Sequence, residues 1–504
     1  MFKPFFCLLR AFCKTSRYNR TGKSLLVVPA TRLGSVIVFY LSNSLVLSGC
    51  SLFQGDTSLE PMELQDFDRK VKVERLWSID TGSGTAKRQV ADLSAELFFK
   101  TVDGVESTYL AAADKKGQIS VWSFKENKES NDDTNSIGEV DLTRSPKRVA
   151  SKGLASRLTS GPEADSDRLY VVDEDATLYA FDTISLKVLW TKELSSEATA
   201  KPASNGRKVA VRTIDGALSV FDAVSGELQW DYRHELPALS LRSQAQPLVT
   251  DSEVIVGFET GHLRAMNLSD GSLVWQVRVA QPTGRTDLER VVDVDTKAII
   301  DGGSVYTASY QGNIVSIDRS QGRAEWRQPF STAQNLSYQD GSIAGVSSES
   351  EVILIDAYSG TAEWRNDLLL RRGLGAPLLT QDYVLVCDNK GWLHVLDRSD
   401  GQMIGRRQLG NTSNHIALLA LDANNYLLDT GRGKLRAFTI IELDSIDKSS
   451  ESDDSVGNED NLDSSDSINL DFGSGLGTTV PGLLDNGDEA GKADNDTDDD
   501  DDDS

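Results

Sequence analysis

The chain has 504 residues, four cysteines and a formal net charge of −25 at pH 7. Without a basic stripe it does not suit nucleic acid, and four scattered cysteines cannot staple a disulfide scaffold. The charge is uneven: residues 1–49 hold seven Lys or Arg and no acid, whereas residues 442–504 hold 22 acids against two Lys.

In chain order, the basic leader is followed by an apolar run, Val36 to Leu47. Twelve residues are too few to span a bilayer as a helix and fit the core of a signal peptide. The run ends in Leu47-Ser48-Gly49-Cys50, which resembles a bacterial lipobox, where the Cys is lipidated and becomes the first mature residue. Residues 1–49 are therefore expected to be a lipoprotein signal peptide and 50–70 a lipidated linker. The resemblance further implies that Ser51, in place of Asp, sends the protein to the outer membrane.

An alternating strand follows, Val71 to Trp77, and then a unit that repeats eight times. Its marker is Gly117, Ala176, Gly216, Gly261, Gly312, Ser350, Gly391 and Gly433, spaced by 38 to 59 residues. Two positions after each marker stands an aliphatic residue, from Ile119 to Leu435. Six positions after it, six units carry Asp or Asn: Asp182, Asp222, Asn267, Asp318, Asp356 and Asp397. Fourteen after it, five successive units carry Trp: 190, 230, 275, 326 and 364. A period in the forties built of short alternating strands predicts an all-β, eight-bladed propeller over residues 71–441. The marker allows the positive φ of a tight hairpin, the acid closes the next corner on its own backbone, and the Trp packs between blades. The last unit lacks its Trp and the N-terminal strand has one to spare, Trp77. That strand is expected to complete the last blade and close the ring, which removes exposed sheet edges. The slot is empty in the first unit and holds Gly405 in the seventh. Trp122 and Trp392 are out of phase and are assigned to local packing.

The tail, 442–504, is rich in Asp, Ser, Gly and Asn and reads as disordered. Its plain role is solvation; loose binding of divalent cations or of a basic surface is the alternative.

Signals for catalysis are thin. Asp80-Thr81-Gly82 and Asp429-Thr430-Gly431 match the triplet of aspartic proteases, which pair two such acids. The repeat explains the second more simply, because Asp429 aligns with Asp114, Asp173 and Asp388 ahead of the hairpin turn. The four His fall in different units without metal-ligand spacing, and Cys387 lies in a strand as a small buried hydrophobe. No cofactor or metal is expected.

The repeat core resembles the pyrroloquinoline-quinone-type propeller repeat, shared by quinone-dependent dehydrogenases and non-enzymatic relatives. The dehydrogenases typically carry a neighbouring pair of cysteines, which this chain lacks. Together with the lipobox, Leu236-Pro237-Ala238-Leu239-Ser240-Leu241-Arg242 and Thr283-Gly284-Arg285-Thr286-Asp287-Leu288-Glu289-Arg290, followed by Asp293-Val294-Asp295, resemble the outer-membrane assembly-factor family, BamB. The resemblance covers Cys50 to about Phe438, and the acidic tail departs from it. It implies a non-catalytic lipoprotein scaffold of the β-barrel assembly (BAM) complex, on the periplasmic face of the outer membrane. Its two inter-repeat loops would contact the periplasmic repeats of BamA, with other complex members and unfolded β-barrel precursors as further partners. The expected sites are Cys50 for the lipid and Leu239, Leu241, Arg242, Asp293 and Asp295 for the partner. Leu239 and Leu241 are two apart and share a side in an extended segment, as do Asp293 and Asp295 in the next one, with Arg242 following Leu241 as a favoured hot-spot residue. The competing reading buries both Leu in a blade core and pairs Arg242 internally with an Asp. Two other functions remain open: a quinone-dependent periplasmic dehydrogenase and a lipid-anchored propeller with an unrelated partner.

Overall fold

A computed structural model describes residues 60–85, 92–102, 104–126, 140–241, 245–413 and 415–443. The signal-peptide region, Cys50, Arg242 and the acidic tail beyond Leu443 lie outside these residues. Eight four-stranded antiparallel sheets make up the blades, one per repeat. Blade 3 is typical: Ala203–Ser204 innermost, then Lys208–Arg212, Ala217–Asp222 and Leu228–Arg233 outermost. The innermost strand comes from the variable segment between one Trp and the next marker, as the repeat predicted.

Local chemistry explains each corner. Seven of the eight markers take the left-handed backbone region, including Ala176 and Ser350. An acid or hydroxyl ahead of the marker closes the same hairpin. Asp114, Asp173 and Asp388, three residues before their markers, each accept two backbone N–H groups through Oδ1. Asp429 does not align with them: Thr430 holds the equivalent position, its N–H and hydroxyl both donating to Lys434 O, and Asp429, one residue earlier, accepts the Gly431 N–H at 2.9 Å. Asp429 also takes the Ala95 N–H, while Asp80 accepts that of Gly82. Both triplet acids thus serve their own turns, as side chains of this kind do in Asx-turns. Cys387 is fully buried, and desolvation pushes its thiol far above the usual range, so it is core rather than nucleophile.

The tryptophans lock neighbouring blades. Each indole N–H donates to the carbonyl just after the acidic corner of the next blade: Trp190 to Ala223, Trp230 to Leu268, Trp275 to Arg319, Trp326 to Ala357 and Trp364 to Arg398, at 2.7–3.0 Å. The ring lies on a glycine of that corner. A Cβ on Gly226, Gly271, Gly322, Gly360 or Gly401 would sit 2.4–2.7 Å from the indole. Each lock therefore needs Trp on one blade and Gly on the next.

The ring closes as expected. Val71–Asp80 pairs antiparallel with Lys434–Glu442 as the outermost strand of blade 8. Trp77 stands opposite Ala437 and donates to Leu142 O at 3.0 Å, on blade 1. Asp141, just before Leu142, is the hidden corner acid of the first unit, displaced from its expected spacing by the insertion before it.

All eight blades share one polarity. The connections from an outermost strand to the next innermost strand, and the marker hairpins, occupy one face, here the loop face. Backbone bonds such as His234 N to Gly216 O and Leu409 N to Gly391 O join them. The acidic corners occupy the opposite, corner face. Residues 60–70, expected within a linker, lie against blade 7, where Leu64 and Phe67 pack on a core that includes Trp364 and Met403.

Candidate protein-interaction site

Two of the three longest connections on the loop face lie at neighbouring blade junctions. Residues 234–247 join blade 3 to blade 4, and residues 279–298 join blade 4 to blade 5. They follow successive blades, so the ring sets them side by side. Across a separation of 52 residues, the Leu241 N–H donates to Asp293 Oδ2 at 2.6 Å. The sequence placed these two residues in one site, and the structure brings them into contact.

The two aspartates do not lie on the surface. Residues 291–296 are buried without interruption, with Asp293 fully enclosed and Asp295 nearly so. An extended segment exposes alternate residues only where one side faces water. Here both sides are covered: Val294 closes over Gly257 of blade 4, while Tyr310 N of blade 5 donates to Asp293 O at 2.9 Å. Asp293 thus acts on the first loop from beneath. Burial and the nearby Glu259 raise its pKa to about 6, against the Leu241 N–H and Arg212, which favour the anion.

A buried ion pair supports this floor. Arg212 donates to both carboxylate oxygens of Glu259 at 2.6 and 2.8 Å and to Gly257 O at 2.6 Å. Its guanidinium lies 4.7 Å from the Phe258 ring, on which His234 also packs. Breaking one partner of such a pair typically costs about 3–5 kcal/mol, because the other charge stays buried. The sequence reading missed this pair, since Arg212 and Glu259 sit in ordinary strand and turn positions of the repeat.

Above the floor the loops present apolar side chains. Leu239 is 44% exposed and Leu241 half-buried, so Leu239 is not blade core. Leu236 and Leu288 are also exposed, the latter at 66%, and neither was singled out from the sequence. Leu288 opens a short helical turn, Leu288–Arg290. Glu289 Oε2 holds that turn by accepting the N–H groups of Arg285 and Thr286 at 2.6 and 3.1 Å. Gly284 adopts φ 117°, and a Cβ there would meet that of Glu289 at 2.4 Å. These contacts explain the Gly-Arg-Thr-Asp-Leu-Glu-Arg run as a self-capped turn that displays one leucine. Exposed apolar residues over a rigid, hydrogen-bonded floor are the usual makings of a protein-binding patch.

Known proteins place the chain consistently. A family model described as outer membrane protein assembly factor BamB matches residues 106–366. The assembly factor BamB of Taylorella asinigenitalis is 34% identical over 77% of this chain and 94% of its own length. That of Yersinia pestis is 27% identical over 81% of this chain and all of its own. The crystal structure of BamB from Moraxella catarrhalis superposes with a TM-score of 0.59 at 23% identity, covering 73% of this chain and 99% of its own, which supports the propeller fold. With the eight closed blades and the matched residues taken together, the chain belongs to the outer membrane protein assembly factor BamB family.

Proposed function

We propose that the protein is a non-catalytic scaffold of the outer-membrane β-barrel assembly complex, held on the periplasmic face through lipid on Cys50. Its latched loop pair would bind the periplasmic repeats of BamA. Family membership supports the setting. The observation that carries the site is the Asp293–Leu241 bond, which fixes two loops from different blade junctions into one platform. Leu239 and Leu241 would supply desolvated area, with Arg242 next in sequence, while Asp293 sets the platform from below and Asp295 lies nearly buried two residues on. A preformed platform lowers the ordering cost of association.

Extended precursors have a separate place to pair. The outermost strands of blades 2 to 4 are open edges with exposed Val188, Leu189, Leu228, Leu273 and Val274. Such edges accept extended segments by strand addition.

The test measures retention of BamA's periplasmic repeats and melting temperature together for Leu239→Ala, Leu241→Ala and Arg242→Ala. Losing a central hot-spot residue costs about 2 kcal/mol or more, roughly thirtyfold in affinity. Variants that melt like the parent but lose BamA support the site. Folded variants that bind normally refute it.

A further inference from the structure

The closing strand enters the ring from the corner face. Val71–Asp80 is an outermost strand, and its far end feeds the 81–95 connection on the loop face. A membrane tether leaving directly from Val71 would therefore start opposite the candidate loops. Residues 60–70 alter this route.

They climb the outer edge of blade 7 beside its last strand, Met403–Gln408, which itself rises from corner face to loop face. At the lower end Lys70 N donates to Ile404 O at 2.9 Å. Higher up, Arg406 Nη1 donates to Gln65 O at 3.1 Å, and its guanidinium lies 4.8 Å from the Phe67 ring. At the top, Met62 N donates to Leu370 O, Arg372 Nη1 to Met62 O at 2.8 Å and Arg371 Nε to Glu60 O at 2.7 Å. Leu370 to Arg372 belong to the connection from blade 6 to blade 7, and Arg371 N bonds to Glu349 O in a marker hairpin. Arg372 is itself fixed, since its Nε and Nη2 both donate to the buried carboxylate of Asp388. The chain thus reaches Glu60 on the loop face.

We propose that residues 60–70 are a docked strap that carries the exit of the membrane tether across the rim of blade 7. The anchored protein then turns its loop face, with the candidate partner loops, toward the bilayer. This rests on lipidation at Cys50. An extended chain spans at most ~3.3–3.6 Å per residue. From Glu60 the tether reaches about 35 Å, whereas from Val71 it would reach roughly 70 Å, enough to let either face approach. The strap halves the reach and selects the face.

The experiment uses the full-length acylated protein on vesicles of outer-membrane phospholipid with a quencher in the headgroups. A fluorophore is attached through Leu288→Cys on the loop face or Val224→Cys on the corner face, positions equally exposed at 66%. The loop-face probe is expected to be quenched more strongly. Releasing the strap with Leu64→Ser, Phe67→Ser and Arg371→Ala should remove most of that difference. So should a twenty-residue Gly/Ser insertion before Glu60, which leaves the strap intact if the triple variant fails to fold. Equal quenching of the two probes, stronger quenching at Val224, or a difference that survives both release and insertion overturns the proposal. Protein that does not float with the vesicles and shows no acyl mass on Cys50 refutes the lipid reading and the proposal with it. Protein that floats with the wrong face inward refutes the strap alone.

Discussion

The junction of blades 4 and 5 and that of blades 1 and 2 solve one packing problem with different residues. In the first, Trp275 stands opposite Ala265, lies on Gly322 and donates to Arg319 O at 2.7 Å. In the second, Ala150 stands opposite Val121 in the equivalent register. The position four after corner Asp182, glycine in the next five blades, is Leu186, at φ 52° and 2% exposed. Leu186 belongs to the core cluster on which Ala150 packs. A leucine held in the left-handed region costs roughly 1–3 kcal/mol, which burying its side chain, at about 1.5–3 kcal/mol, offsets. The conserved quantity is therefore the filled volume between blades, divided as Trp with Gly or as Ala with Leu. The junction of blades 7 and 8 makes a third division: Gly405 stands in the Trp slot, and a Cβ there would lie 2.5 Å from Val71 Cγ2 of the entering chain.

If junctions are shared volumes in a closed ring, opening the ring is the heaviest blow. Deleting Val71 to Ser78 removes the outer strand of blade 8, the Trp77 lock and the Val71 filling together. The expected result is loss of the cooperative melt; a deletion that melts like the parent would break the scheme. Next comes Trp275→Ala, expected to cost about 3–5 kcal/mol, as for other buried aromatics. Denaturant titration reads this directly, and a loss under 1 kcal/mol would mean the indoles decorate the junctions rather than hold them.

The Ala150 and Leu186 pair can be exchanged for the common Trp and Gly. Ala150→Trp forces an indole onto Leu186 and should cost about 1–3 kcal/mol by overpacking. Leu186→Gly alone leaves a cavity. The double variant recreates the common lock and should recover most of the combined loss, a coupling of up to about 3 kcal/mol in a double-mutant cycle. Strict additivity would refute shared volume. Gly405→Ala tests the third division, with an expected cost of about 1–2 kcal/mol as Val71 is displaced.

These divisions differ in how far the sequence displayed them. The Trp and Gly locks repeat at fixed spacing, so fold, blade count and closure by Trp77 were legible. Ala150 was not, because it lies 33 positions after Gly117 rather than fourteen. The strap was hidden for another reason: only Leu64 and Phe67 mark it as more than a linker, and its hold is mostly arginine on backbone carbonyls. Around the candidate site, the family resemblance pointed to Leu239, Leu241, Asp293 and Asp295, whereas residue types alone fitted a blade core equally, and depth did not show. Alternation suggested two acids on a common side, whereas the 291–296 segment is covered on both. The Arg212–Glu259 pair and the display of Leu288 depend on contacts between blades that no local pattern encodes. Neither Cys50 nor Arg242 falls among the described residues.

The smallest expected effect on stability returns to blades 4 and 5, which carry a fold lock and, on the loop face, the Asp293 latch. Asn at position 293 still offers a carbonyl oxygen to the Leu241 N–H but carries no charge, whereas Ala removes the acceptor. If the carboxylate serves only as a latch, Asp293→Asn should bind BamA within about threefold of the parent. Asp293→Ala should lose about tenfold or more, the scale of a lost hydrogen bond to a charged group. Tight binding that needs the charge itself would fail in both variants and would place Asp293 in direct contact with the partner. The pH dependence gives a second readout. The folded pKa of Asp293, raised to about 6, exceeds the ordinary value of 3.8. Between these two values the folded state holds a proton that the unfolded state has released. The contribution of Asp293 to stability therefore falls as pH rises from about 4 to about 6 and is constant above. Asn has no such titration, so the stability of Asp293→Asn relative to the parent should climb through that window and stay constant beyond it. A difference independent of pH would mean that the buried carboxylate titrates normally and that its enclosure beneath the loop is not what sets its role.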